Sequence, residues 1–272
     1  MFRYIFLKWW LTAEGTLAAK TFFLAGRSFH LLSTIFHSCA VGALTLDKLQ
    51  YGIREHWQMF TPDDSDVATG FCDWEKTIAD RWLKSGTDVL LAGVGSGRDL
   101  LPMLARGCRV TAVDPATEAL KTAQRHLDLR GLSATLCAGF AEDVRVPGRF
   151  DAVWFGNGSY SLIPQRARRI KMLARLAGQL NAGGFVTINY QSGLPRPKPI
   201  VIRAANLTGK LFDSDWQLEP GDLVGWRQRN GHAFYSYGHA FVPEEIEDEA
   251  SSAGLTIVDR VNVTDQTAFV LQ

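Results

Sequence analysis

Asp88-Val-Leu-Leu-Ala-Gly93-Val-Gly95-Ser-Gly97 runs a short apolar segment directly into a turn in which every second residue is glycine. Glycine lacks a Cβ, so such a turn can take positive φ and lets the backbone come close to a ligand. A second apolar segment, Arg109-Val-Thr-Ala-Val-Asp114, ends on an acid 17 positions past Gly97 (114 − 97). The residues between the two segments, from about 98 to 106, carry a helical pattern. Strand, glycine turn, helix and strand in this order are the unit of a parallel sheet with crossover helices, and a ligand is expected at the turn.

Downstream the alternation continues. Pro115 suits the first turn of a helix, where its missing N–H costs nothing, and Ala116, Ala119, Leu120, Ala123 and Leu127 recur at helical spacing. Further strands are expected at 133–137, 150–156 and 184–190. Ile170, Leu173, Ala174, Ala177 and Leu180 form the apolar stripe of another helix, whose run of Arg166, Arg168, Arg169, Lys171 and Arg175 reads as a solvated face. After Gln191 the pattern stops for about fifty residues rich in Pro, Gly and Trp, a length more often functional than idle. Pro243-Glu-Glu-Ile then opens a helix that stops at Gly254. The closing runs 255–263 and 268–271 are joined too briefly for a crossover, so they should pair antiparallel.

A dinucleotide fingerprint would need GxGxxG, but the third glycine position after Gly93 and Gly95 holds Arg98, which favours a nucleoside without a pyrophosphate. Taken together, Gly93-x-Gly95-x-Gly97, Asp114 and the final hairpin resemble the class I, Rossmann-like methyltransferases that use S-adenosylmethionine, over residues from about 70 to the C-terminus apart from the insertion. The resemblance implies an α/β fold: a seven-stranded, mostly parallel sheet with helices on both faces and an antiparallel last strand. It divides the chain into an N-terminal helical extension or lid at 1–69 and a methyltransferase domain at 70–272, in which about 192–242 is a substrate cap.

It also implies site residues. Gly93, Gly95 and Gly97 should border the methionine and ribose of S-adenosylmethionine, and Asp114 should hold the ribose hydroxyls. Phe140, standing where the family commonly has an acid, should pack on adenine with help from the Ala141 N–H, and Asp143 is a candidate for the adenine amine. Gly156 and Asn157, in Trp154-Phe-Gly-Asn-Gly-Ser-Tyr160, should meet the methionine end. Gly-Asn-Gly-Ser-Tyr is similar to the Gly-Asn-Ser motif of glycine and sarcosine N-methyltransferases, and the Asn/Asp-Pro-Pro-Tyr of nucleic-acid amino methyltransferases is absent. Where a proton must be removed, His239 is the candidate base, followed by Tyr237. Tyr51 and Trp57 are candidates for closing a lid. Trp216, Trp226 and Phe234 are candidates for an apolar acceptor pocket, beside Glu219 and Asp222 for an acceptor amine.

Composition bounds the rest. The 272 residues are 46% hydrophobic and 21% charged with a net charge of +1, which leaves no electrostatic footprint for nucleic acid. The partner expected is a small, hydrophobic acceptor methylated on O or N. Cys39, Cys72, Cys108 and Cys137 have no CxxC or His at ligand spacing, so they read as reduced thiols and no metal is expected. Residues 1–46 read either as amphipathic helices covering the domain or as an interfacial anchor, with Trp9, Trp10, Phe22 and Phe23 beside Arg3, Lys8, Lys20 and Arg27. The location expected is cytoplasmic, or peripheral on the inner face of a membrane. Two other readings stay open: the same fold catalysing cyclisation or decarboxylation with bound S-adenosylmethionine, and a membrane-associated accessory protein that binds the cofactor. The sequence is silent on the oligomeric state.

Overall fold

The computed structural model describes residues 13–58, 64–229 and 231–272, which form two compact units, one of residues 13–44 with 198–218 and one of the described residues from 45 to 197 and from 219 to 272. In chain order the helices are α1 (Ala13–Gly42), α2 (Leu46–Gln58), α3 (Asp64–Thr69), α4 (Asp73–Trp82), α5 (Leu100–Ala105), α6 (Thr117–Arg130), α7 (Arg166–Ala177), α8 (Pro199–Leu211) and α9 (Pro243–Ser252). The strands are β1 (Asp88–Ala92), β2 (Arg109–Asp114), β3 (Thr135–Ala138), β4 (Phe150–Phe155), β5 (Leu180–Gln191), β6 (Asp222–Arg229), β7 (His232–His239), β8 (Ile257–Val263) and β9 (Gln266–Leu271).

Seven strands of the larger unit form one sheet in the order β3-β2-β1-β4-β5-β9-β8. β1 to β5 pair in parallel, while β9 runs antiparallel to both β5 and β8. The expected seven-stranded sheet with a reversed last strand is therefore present. Its inner strands are apolar on both faces because each face is covered. Leu90, Val153, Phe155, Ile188 and Phe269 belong to one core with Met172 and Leu173 of α7 and Ile246 of α9. Val89, Leu91, Trp154 and Val270 belong to the other, with Trp74 and Ile78 of α4, Met103 of α5 and Leu127 of α6.

One expectation is corrected within α7. Arg169 is not on a solvated face: its side chain is buried, and its guanidinium donates to the Glu249 carboxylate of α9 at 2.7–3.1 Å and to the Ile163 carbonyl at 3.1 Å. Glu249 also accepts the Tyr160 hydroxyl at 2.6 Å. A carboxylate supplied by another helix was invisible from the periodicity of α7 alone. Arg168 and Arg175 also turn inward, to Glu142 and Asp143 and to the Ala141 carbonyl.

The insertion holds regular structure. It contains α8 and a separate two-stranded antiparallel hairpin, β6–β7. β7 carries α2 closely enough that a Cβ at Gly52 would lie 1.8 Å from the Tyr235 carbonyl oxygen. In the smaller unit, α1 and α8 also pack closely, since a Cβ at Gly42 would lie 1.9 Å from the Ala205 carbonyl oxygen. Asn206 pairs with both backbone groups of Leu218, and Trp216 is buried there. Trp9, Trp10, Arg3 and Lys8 lie outside the described residues, as do the side chains of Lys20, Phe22, Phe23 and Arg27.

Removing Glu249 takes the buried carboxylate from a buried cation and a buried phenol, a change that costs about 3–5 kcal/mol when a buried pair is broken. Glu249→Ala is therefore expected to lower Tm by roughly 10 °C in a thermal melt. Glu118→Ala, which removes an exposed partner of Lys121, should leave Tm unchanged.

Candidate functional site

A cleft of about 250 Å³ opens beyond the carboxyl ends of β1, β2 and β4, where open α/β sheets bind their ligands. Its floor exists because two strand exits approach without side chains. Gly93, at φ +81°, could carry a Cβ only at 2.6 Å from that of Ser159, and a Cβ on Gly156 would lie 2.5 Å from the Gly93 carbonyl oxygen. The backbone locks the pair: Gly93 N–H donates to Val113 O and Gly156 N–H to Ala92 O.

Asp114 ends β2 against this floor and is 6% exposed. Its carboxylate accepts the N–H groups of Gly95 and Ala116 at 2.9 and 2.8 Å. Burial pushes its pKa above the usual carboxylate range, and those two bonds only partly oppose the shift. Hydroxyl donors from a ligand would offset the remainder, so the site suits a ribose. Beside it, Val113, Phe140 and Ala141 line an apolar wall.

Of the residues expected at the site, Gly93, Gly95, Asp114, Phe140, Ala141 and Asn157 line the cleft; Gly156 packs beneath Gly93, and Gly97 against Ala123 of α6. Trp57 lines it together with Ile53, both from α2, whereas Tyr51 is exposed. Asp143 is also exposed and is held by Gln50 and Arg168.

Three contributors escaped the sequence. Glu142 lines the cleft, accepts from Gln50 and Arg168, and has its carboxyl pKa raised by burial. Asn189 of β5, itself buried, donates to the Asn157 side-chain oxygen at 2.8 Å and accepts the Gly158 N–H, which orients Asn157. Arg98 binds Glu75 through two nitrogens and the Gly70 carbonyl, with Asp99 at 2.7 Å, and so ties α4 to the glycine turn. Both Glu75 and Asn189 lie far in sequence from the turn they support.

His239 and Tyr237 come together around Asp222, and none of the three lines the cleft. Asp222 Oδ1 accepts the Tyr237 hydroxyl and the His239 Nδ1–H, both at 2.6 Å, while Oδ2 accepts the Glu219 N–H. His239 Nε2 lies 3.6 Å from Glu245 of α9. Burial works against the imidazolium, but the hydrogen bond to Asp222 and the nearby Glu245 carboxylate outweigh it and raise the His239 pKa. Burial likewise opposes ionised Glu245, yet His239, the Val242 N–H and Arg196 lower its pKa to about 2. Glu219 and Asp222 are thus not open to an acceptor amine, because Glu219 accepts the Arg166 N–H with both oxygens and Asp222 is buried. Glu219, Asp222 and His239 bring ligand atoms within 4.8 Å of one another, but hydrogen bonds already engage them. Trp226 is exposed and Phe234 buried, both on the hairpin.

Residues 89–184 match a family model described as a methyltransferase domain. The ubiquinone biosynthesis O-methyltransferase of Methylocella silvestris is 27% identical over 180 residues, which cover 65% of this chain and 61% of that protein. Among solved structures, an S-adenosylmethionine-dependent methyltransferase from Clostridium acetobutylicum superposes with a TM-score of 0.56 at 16% identity, covering 79% of this chain and 93% of its own. The CcbJ methyltransferase from Streptomyces caelestis gives a TM-score of 0.57 at 14% identity, with coverage of 84% and 98%. These two structures share the fold.

The His239 and Glu245 shifts set a pH window. The raised pKa of His239 makes its contribution to stability complete below its usual 6.5 and lost as pH rises through the folded-state value. The depressed pKa of Glu245 makes its contribution complete above 4.5 and lost as pH falls toward 2. The Tm difference between wild type and His239→Gln should therefore be widest between pH 4.5 and 6.5 and shrink above neutrality; melts across pH measure it.

Proposed function

We propose that the chain transfers a methyl group from S-adenosylmethionine to an oxygen or nitrogen of a small, hydrophobic acceptor, a reading supported by the match of residues 89–184 to a methyltransferase-domain model and by the seven-stranded sheet with its reversed last strand. The observation that carries the reading is Asp114, a buried acid at the second strand end, set beside a glycine turn and an apolar wall. Oxygen is the favoured atom, because the sequence relative from Methylocella silvestris is an O-methyltransferase of ubiquinone biosynthesis.

The bound cofactor supplies a methyl already activated on a sulfonium, so the chain's task is alignment and exclusion of water. In this reading Asp114 accepts from the ribose hydroxyls, and Gly93, Gly95 and Gly97 let the backbone border ribose and methionine. Phe140 packs on adenine, with the Ala141 N–H and the Glu142 carboxylate at its polar edge. Gly156 and Asn157 face the methionine end, Asn157 held by Asn189. Ile53 and Trp57 of α2 close the cleft from above, and the hairpin that supports α2 makes part of 192–242 the cap. Residues 1–46 contact the inner face of a membrane, where a hydrophobic acceptor resides; among the described residues no helix is long and apolar enough to cross one.

For acceptors that must lose a proton, the proposed base is His239, with Tyr237 behind it. Asp222 fixes its tautomer and raises its basicity, as in other imidazole bases. Because the ring does not line the cleft, His239→Asn discriminates: at least a tenfold fall in kcat with unchanged cofactor affinity supports the base, whereas a fall in Tm alone assigns the dyad to packing.

Calorimetric titration with S-adenosylmethionine and with its demethylated product tests the central reading. Wild type should bind both, and Asp114→Ala should bind roughly a hundredfold more weakly, as expected for two charge-assisted hydrogen bonds. A folded wild type that binds neither overturns the proposal.

A further inference from the structure

We infer that α8 and α1 together form a docking surface for an anionic lipid bilayer, so that part of the insertion after β5 anchors the chain to a membrane surface. The inference extends the proposed contact of residues 1–46 to a segment about 160 residues further along. Phe29, Leu32 and Phe36 recur on α1 at the i, i+3, i+7 spacing of one helix side, and Phe29 and Phe36 are 76% and 72% exposed. Ile200, Leu207 and Leu211 recur on α8 at i, i+7, i+11, again one side, with Leu207 and Leu211 63% and 74% exposed. The opposite sides, with Ser38, Val41, Ala205 and Gly209, are buried where the two helices pack. Eight of the fourteen large hydrophobic residues exposed among the described residues fall in this small unit.

Charge identifies the occupant. Lys198, Arg203 and Lys210 are the charged residues from Lys198 to Phe212, with Asp213 and Asp215 following beyond the end of α8, and from Gly15 to Leu46 the chain has two bases and no acid. Arg203 and Lys210 are exposed and flank the apolar strip of α8 on the same side, about 40–100° round the helix from Leu207 and Leu211. Large apolar side chains flanked along the helix by cations are the pattern of a helix lying in the headgroup region of anionic lipid. A second copy of the chain would bring the same cations against one another. Neither α1 nor α8 is long and apolar enough to span, so the surface rests on the bilayer.

Flotation of the full-length protein, without cofactor or acceptor, on phosphatidylcholine vesicles with and without phosphatidylglycerol tests this separately from methyl transfer. Wild type should float only with the anionic vesicles. Leu207→Glu/Leu211→Glu should weaken partition at least tenfold. Arg203→Gln/Lys210→Gln should weaken it roughly fivefold per base removed and reduce its salt dependence. All four positions are exposed, so thermal melts of the variants should match wild type. Three results overturn the inference: no flotation of the wild type; flotation abolished by deleting residues 1–40 but untouched by the α8 variants; or a dimer in sedimentation that Leu207→Glu/Leu211→Glu dissolves, which assigns the face to a second copy.

Discussion

The ends of β1 and β4 meet backbone to backbone, and this close approach is the constraint on which the site depends. A side chain at Gly93 or Gly156 would occupy the space in which the two strand exits and Ser159 now pack. With the exits bare, the Gly95 N–H reaches Asp114, the Ser159 hydroxyl reaches the Ala92 carbonyl, and the cleft has a floor. The 3-10 turn from Ser159 to Leu162 then contributes Leu162 to the cleft on one side and Tyr160 to the core on the other. Through Tyr160 the floor is connected to Glu249 and Arg169, so the packing of α7 and α9 on one face of the sheet is continuous with the geometry of the cleft.

What could be read from the sequence follows from the range of the interactions involved. The glycine turn, Asp114 and the final antiparallel pair are encoded by neighbours, through spacing and apolar alternation, and the sheet order realises them. Phe140, Ala141 and Asn157 were reachable because they follow strand ends, which the parallel sheet brings to one edge. Arg169 was misread because periodicity reports the average character of a helix side and says nothing of an acid arriving from another helix. Glu142 sat beside the more conspicuous Asp143. A shift of one residue along that short turn exchanged the exposed acid for the one in the cleft.

Asp222 shows a different limit. It faces His239 directly across β6–β7, a pairing of residues 17 positions apart. The dipeptide Asn230-Gly231, midway between them, is a hairpin signal that would have set this register. Without that signal the two residues read as separate polar groups, one for an acceptor amine and one for a proton. The pairing of α1 with α8 has no such signal. It rests on small residues, Gly42 and Gly209 with Ala205, whose use in close helix contact is invisible until the partner is known.

Gly52 has a consequence for how ligands sense one another. It seats α2 against the Tyr235 backbone, so the helix that presents Ile53 and Trp57 to the cleft rests on a hairpin that belongs to the insertion. Any molecule that binds against the hairpin and favours one position of it must favour the matching position of α2. Binding free energies are reciprocal, so the factor by which such a molecule tightens the hold on a ligand in the cleft is the factor by which that ligand tightens the hold on it. Gly52 is thus the point through which any such coupling between hairpin and cleft would pass.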